Sequence, residues 1–148
     1  MHEKTILLVE DNPDDIALAQ RAFRKCGLEK NIIIAHDGIE ALNYLFSGEE
    51  DVNREKINLP AVVLLDIKMP GMNGIEVLKQ IRSQKRTAYL PIVMLTSSDN
   101  QQDIFQSYKY GANSYILKPV DFIKFQEVMR HLGFYWLTAN KYPVEIGI

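Results

Sequence analysis

The chain has 148 residues, 47% of them hydrophobic, which is enough for one domain around one core and too little for two. A formal net charge of −2 supplies no basic field for nucleic acid or an anionic membrane surface. The single cysteine, Cys26, excludes an internal disulfide, and no apolar run approaches the roughly 20 residues of a membrane helix, so a cytoplasmic domain is expected.

In chain order, short apolar segments alternate with amphipathic ones. "TILLVE" (Thr5–Glu10) reads as a strand, and "PDDIALAQRAFRKCG" as a helix with Ile16, Ala19, Phe23 and Cys26 on one face. "NIIIAH" (Asn31–His36) is a second strand, followed by a helix in "GIEALNYLFSG" whose inward residues are expected to be Ile39, Leu42 and Leu45–Phe46. "GEEDVNREKINLP", Gly48 to Pro60, is a charged surface loop. "AVVLLD" (Ala61–Asp66) and "PIVMLT" (Pro91–Thr96) are strands on either side of a helix in "GIEVLKQIRSQ", with Ile75, Leu78 and Ile81 inward. "QDIFQSYKYG" predicts a helix burying Ile104, Phe105 and Tyr108. "SYILK" (Ser114–Lys118) is the fifth strand. The last helix, in "DFIKFQEVMRHLGFYWLTAN", stripes Phe122, Phe125, Met129, Leu132 and Trp136.

Five strand–helix units imply a parallel sheet with helices on both faces. The first, third and fourth strands are continuously apolar, the pattern of strands covered on both sides. In such a sheet ligands bind beyond the carboxyl ends of the strands, where strand order reverses. The chemically unusual residues fall at those ends: Glu10 and Asp11, Asp66, Thr96 and Lys118. Carboxylates about 4 Å apart repel by about 4 kcal/mol at an effective dielectric of about 20, so three in one cleft cannot all stay ionised unless a cation enters or their pKa values rise. An all-oxygen site suits Mg²⁺, with Ca²⁺ or Mn²⁺ weaker candidates, and no Cys or His cluster supports zinc. Beside a cation, Asp66 is a candidate nucleophile toward phosphorus. Lys118 and Thr96 are the residue types that pair with phosphoryl oxygens, and Ser97 is small enough to let backbone approach. Singly, each has a plainer explanation as a solvated charge, a strand-end hydroxyl or a helix N-terminal acid. Together, on the ends of four strands, they point to one site.

"LLVEDN", "LLDIKMPGMNG", "PIVMLTS" and "GANSYILKP", in this order and spacing, resemble the receiver domain of two-component response regulators. That resemblance implies an α/β, flavodoxin-like (βα)5 doubly wound parallel sheet with strand order 2-1-3-4-5. It also implies that Asp66 accepts a phosphoryl group from a histidine of a sensor histidine kinase or a histidine phosphotransfer protein. Asp11, Asp66 and the backbone carbonyl of Lys68 would ligate Mg²⁺, with Glu10 acting mostly through metal-bound water. Lys118 would contact the phosphoryl group, with a cis bond to Pro119. Thr96 would move toward that group and Tyr115 repack with it, as switch residues. The side chains of Lys68 and Ser98 stand where members of the family tune hydrolysis, and Glu10 stands where many carry Asp.

A receiver over residues 1–140 with a short tail over 141–148 and no output domain is expected. The aromatic ending "LGFYWLTANKYP" is similar to small regulators that partner bacterial phytochrome-type kinases. It suggests a homodimer through Phe134, Tyr135 and Trp136, although these rings would equally serve to cover the sheet edge. The protein would signal to a downstream protein through phosphorylation-dependent contacts, with no catalysis beyond its own phosphorylation and dephosphorylation. A phosphatase of the haloacid-dehalogenase type would also use an aspartyl nucleophile. It needs a general acid two residues after the nucleophile, where this chain has Lys68.

Overall fold

The computed structural model describes residues 4–47 and 58–143. Five strands, β1 (Ile6–Val9), β2 (Ile32–Ala35), β3 (Val62–Leu65), β4 (Ile92–Thr96) and β5 (Ser114–Leu117), form one parallel sheet in the order β2-β1-β3-β4-β5. The helices between and after them are α1 (Pro13–Lys25), α2 (Gly38–Leu45), α3 (Gly74–Ser83), α4 (Gln101–Lys109) and α5 (Phe122–Phe134). This is the expected flavodoxin-like arrangement. Most of the loop expected at Gly48–Pro60 lies outside the described residues, as do the last five residues of the tail. Among the described residues no helix is long and apolar enough to cross a membrane.

The side-chain alternation of a strand sorts the core into two layers. Leu7, Val9, Val63, Leu65, Ile92 and Met94 face α2 and α3, where Ala41, Leu45, Val77, Leu78 and Ile81 meet them. Ile6, Leu8, Val62, Leu64, Val93 and Leu95 face the other way, onto Ala19, Ala22 and Phe23 of α1 and Phe125 and Met129 of α5. β1, β3 and β4 are buried throughout, while β2 and β5, at the sheet edges, are only partly covered.

Helix starts are fixed by side-chain caps, which satisfy backbone donors that have no partner within the helix. Asn12 caps α1, Asp37 α2, Asn73 α3, Asn100 α4 and Asp121 α5. The turn before α3 passes through Gly71 at φ +74°, a left-handed backbone that residues with a side chain seldom adopt.

Two helical faces depart from the periodicity. On α4, Phe105 is 65% exposed and Tyr108 51%, and the residue turned inward is Ser107. On α2, Ile39 is exposed and Ala41 lies inside. In both helices a small residue sits against neighbouring elements where a larger one was expected, although Leu45 of α2 is buried as predicted. Ser107 tolerates this position because its hydroxyl donates to the Asp103 carbonyl one turn back, at 2.7 Å.

At the rim opposite the strands' carboxyl ends, Arg82 of α3 ties three segments together. Its guanidinium donates to the carbonyls of Leu90 at 2.7 Å, Thr87 at 3.2 Å and Gly111 at 2.8 and 3.0 Å. It also reaches the side-chain oxygen of Asn113 at 3.0 Å, which accepts the Ile92 N–H as well. The segments entering β4 and β5 are thereby fastened to the end of α3.

Candidate functional site

The same alternation that builds the core gathers the site. Glu10 and Asp66 continue the rows Ile6–Leu8 and Val62–Leu64, and Lys118 continues the row of Ile116, which packs on the same layer. All three therefore emerge on the α1/α5 side, one residue beyond β1, β3 and β5. Glu10 and Asp66 are almost wholly buried, at 2% and 6% exposure.

The Lys118 ammonium is held by three carboxylates: Glu10 at 2.6 Å, Asp15 at 2.9 Å and Asp66 at 3.3 Å. The remaining oxygens of the two buried acids face backbone. Glu10 Oε1 accepts the Asn12 N–H at 3.1 Å, and Asp66 Oδ1 accepts the Ile67 N–H at 2.8 Å. Each acid is thus oriented from two sides. Asp15 was not expected at the site. Its signal was available, since it stands four and seven residues before Ala19 and Ala22, in register with the buried stripe of α1.

Carboxylate oxygens of Glu10, Asp11 and Asp66 lie within 4.8 Å of one another. At that spacing each pair repels by about 3.5 kcal/mol at an effective dielectric of about 20. One ammonium leaves most of this charge unbalanced. Burial pushes the Glu10 carboxyl up to about 7, with the Lys118 hydrogen bond opposing the rise and the Asp66 charge adding to it. Burial works against the Lys118 charge, but its bonds to Glu10 and Asp15 and the Asp66 charge outweigh burial and hold the ammonium above the usual lysine range. An all-oxygen cluster with surplus negative charge and one partly open member, Asp11, fits a hard divalent cation.

Thr96, the last residue of β4, is fully buried, and its hydroxyl oxygen accepts the Ser98 N–H at 3.3 Å. Tyr115 packs against the α2/α3 layer and donates its hydroxyl to the Ser98 carbonyl at 2.7 Å. The two expected switch residues therefore meet through the backbone of Ser98. The Ser98 hydroxyl donates to Asp103 at 2.7 Å, and the exposed Lys68 ammonium lies 3.8 Å from the same carboxylate, across the mouth of the cleft. Ser97 is exposed.

The cis bond expected before Pro119 is a correction: the Lys118–Pro119 peptide is trans. A tertiary amide prefers trans by about 0.5–1 kcal/mol, and Lys118 reaches all three carboxylates from the trans chain, so nothing opposes that preference. The aromatic trio at the end of α5 is split. Phe134 and Tyr135 are exposed, whereas Trp136 packs onto the α1/α5 layer, edge-on to Tyr135 at 4.8 Å between ring centres. A wider π-type turn, Tyr135–Ala139, places Trp136 there, and Tyr142 donates its hydroxyl to the Trp136 carbonyl.

The model of the response regulator receiver domain matches residues 6–130. The chain belongs to this family. Among relatives, the receiver is 38% identical over 138 residues to the probable methanogenesis regulatory protein FilR2 of Methanothrix harundinacea, covering 93% of this chain and 86% of that one. It is 31% identical to the response regulator Rcp1 of Synechocystis, over 95% of this chain and 93% of Rcp1. The crystal structure of the phosphorylated cyanobacterial phytochrome response regulator RcpA superposes with a TM-score of 0.83 at 34% identity, covering 97% of the receiver and all of RcpA. The Mn²⁺-bound form of Rcp1 superposes at 0.80 with 30% identity, over 95% of this chain and 99% of that one. The bacteriophytochrome response regulator AtBRR is 42% identical with a TM-score of 0.71, over 95% of this chain and all of AtBRR.

Proposed function

We propose that this receiver accepts a phosphoryl group on Asp66 from the phosphohistidine of a sensor kinase or a histidine phosphotransfer protein, in a Mg²⁺-dependent reaction. The observation that carries the proposal is the convergence of Glu10, Asp11 and Asp66 around one cleft with Lys118 bridging two of them. An oxygen of Asp66 attacks phosphorus, the P–N bond to the donor imidazole breaks, and the imidazole leaves with the electron pair. Mg²⁺, held by Glu10, Asp11, Asp66 and the Lys68 carbonyl, would supply positive charge for the transferred oxygens. Lys118 then pairs with a phosphoryl oxygen. The Thr96 hydroxyl keeps its proton available for a second oxygen, because its present bond uses only an acceptor lone pair. A pull on Thr96 is felt at Ser98 and so at Tyr115, giving the added charge a route to the α4–β5 surface.

Incubation with acetyl phosphate and Mg²⁺ should add one phosphoryl mass to the intact protein, and Asp66→Asn should prevent it. Labelling of Asp66→Asn to the wild-type extent, or an unmodified wild type, rejects the assignment.

A phytochrome-type kinase as donor is supported by the likeness to RcpA and AtBRR. The exposed Phe134 and Tyr135 rings favour a homodimer centred on these residues. Sedimentation should then show a dimer that Phe134→Ala combined with Tyr135→Ala dissociates, and a monomeric wild type would refute it.

A further inference from the structure

We propose that Asp15 is a positioning residue for Lys118: it holds the ammonium in the resting receiver and is the partner released when a phosphoryl oxygen arrives. This inference rests on Asp66 as phosphoacceptor. An ammonium has three donors, and in the resting geometry Glu10, Asp15 and Asp66 take all three. A phosphoryl group on Asp66 inherits the donor that Asp66 holds at 3.3 Å, the longest of the three bonds, so a second lysine–phosphoryl bond must displace Glu10 or Asp15.

Burial selects which bond gives way. Glu10 is 2% exposed and lies closest, at 2.6 Å, so water cannot readily take the place of the ammonium there. The Asp15 side chain is 33% exposed, and water can replace the ammonium there. Asp15 also stands outside the trio whose oxygens gather within 4.8 Å, so its contact with the site is through the lysine. The Asn12 side chain accepts the backbone N–H groups of Asp14 and Asp15, fixing the first turn of α1 from which Asp15 reaches in. Asp15 thus competes with the phosphoryl group in two ways, by occupying a donor and by adding a negative charge near the incoming one.

The test titrates the receiver with beryllofluoride, an anionic phosphoryl mimic, at saturating Mg²⁺, following bound fluoride by ¹⁹F NMR. The ¹⁵Nζ resonance of Lys118 is recorded separately in the metal-free protein. Asp15→Asn should bind beryllofluoride roughly fivefold more tightly than wild type, the size expected of a part-exposed ion pair. It should also shift the Lys118 resonance. Asp15→Glu, which keeps the charge, should stay within about twofold of wild type. Asp14→Asn makes the same change in net charge on an exposed neighbour and should alter neither readout. Equal or weaker binding by Asp15→Asn, an unmoved Lys118 resonance, or matching tightening in Asp14→Asn overturns the role of Asp15. A wild type that binds no beryllofluoride overturns Asp66 as phosphoacceptor, and this proposal with it.

Discussion

Replacing Gly74 with alanine should cost about 3 kcal/mol of folding stability, a large penalty for one methyl group. A Cβ at that position would stand 2.1 Å from the carbonyl oxygen of Asp66 and 2.8 Å from both its carbonyl carbon and the Cα of Ile67. Every one of these atoms is backbone, so no side chain can rotate aside. Relief requires the start of α3 to separate from the end of β3, which also strains the Gly74 N–H bond to the Ile67 carbonyl at 2.9 Å. The loss should appear in urea denaturation together with weakened Mg²⁺ binding, because the displaced backbone carries Asp66. Gly27, at φ +75° with nothing within 4 Å of its virtual Cβ, is the control, and alanine there should cost only about 1 kcal/mol. Similar losses at the two positions would show that packing at Gly74 is not responsible.

Lys118→Met should destabilise the metal-free receiver by about 3 kcal/mol at alkaline pH and by much less at acidic pH. The sign follows from proton linkage. Between 4.5 and about 7 the folded chain keeps a proton on Glu10 that the unfolded chain has released, so stability falls as pH rises across that window. Lys118 shifts in the same direction, in a higher pH window. Its raised pKa means that its contribution is complete below 10.5 and disappears only when alkaline pH passes its folded value. Without the ammonium, Glu10 loses the hydrogen bond that restrains its rise, and the fall in stability should steepen and extend above pH 7. Mg²⁺ should recover much of the deficit by supplying counter-charge. Urea denaturation across pH, with and without Mg²⁺, measures this. A deficit that is constant with pH and indifferent to Mg²⁺ would mean that the lysine acts by packing alone.

The sheet was legible in the sequence because its three central strands carry a signal that little else produces. Runs such as "ILLV", "VVLL" and "IVMLT" have room for only one environment, covered on both faces. The strand-end residues were legible for a related reason: an acid or lysine that closes an apolar strand emerges at the rim. Less could be read where small residues decide packing. Periodicity assigned Phe105 and Tyr108 to the inside of α4, but the helix turns Ser107 inward, and hydrophobicity gives no sign of that. Asp15 escaped notice because an acid in a first helical turn already has an explanation in the helix dipole. The Lys118–Pro119 bond came out trans, a choice between isomers close in energy that residue types alone do not determine.

The Arg82 tie has a mechanical consequence. β4 and β5 are anchored beside Leu90, Gly111 and Asn113 through one guanidinium, while their opposite tips carry Thr96 and Lys118. A reed clamped at its base bends toward its tip. Strain introduced at the acidic pocket should therefore fall on the nearest turns, with the far rim as the fixed frame.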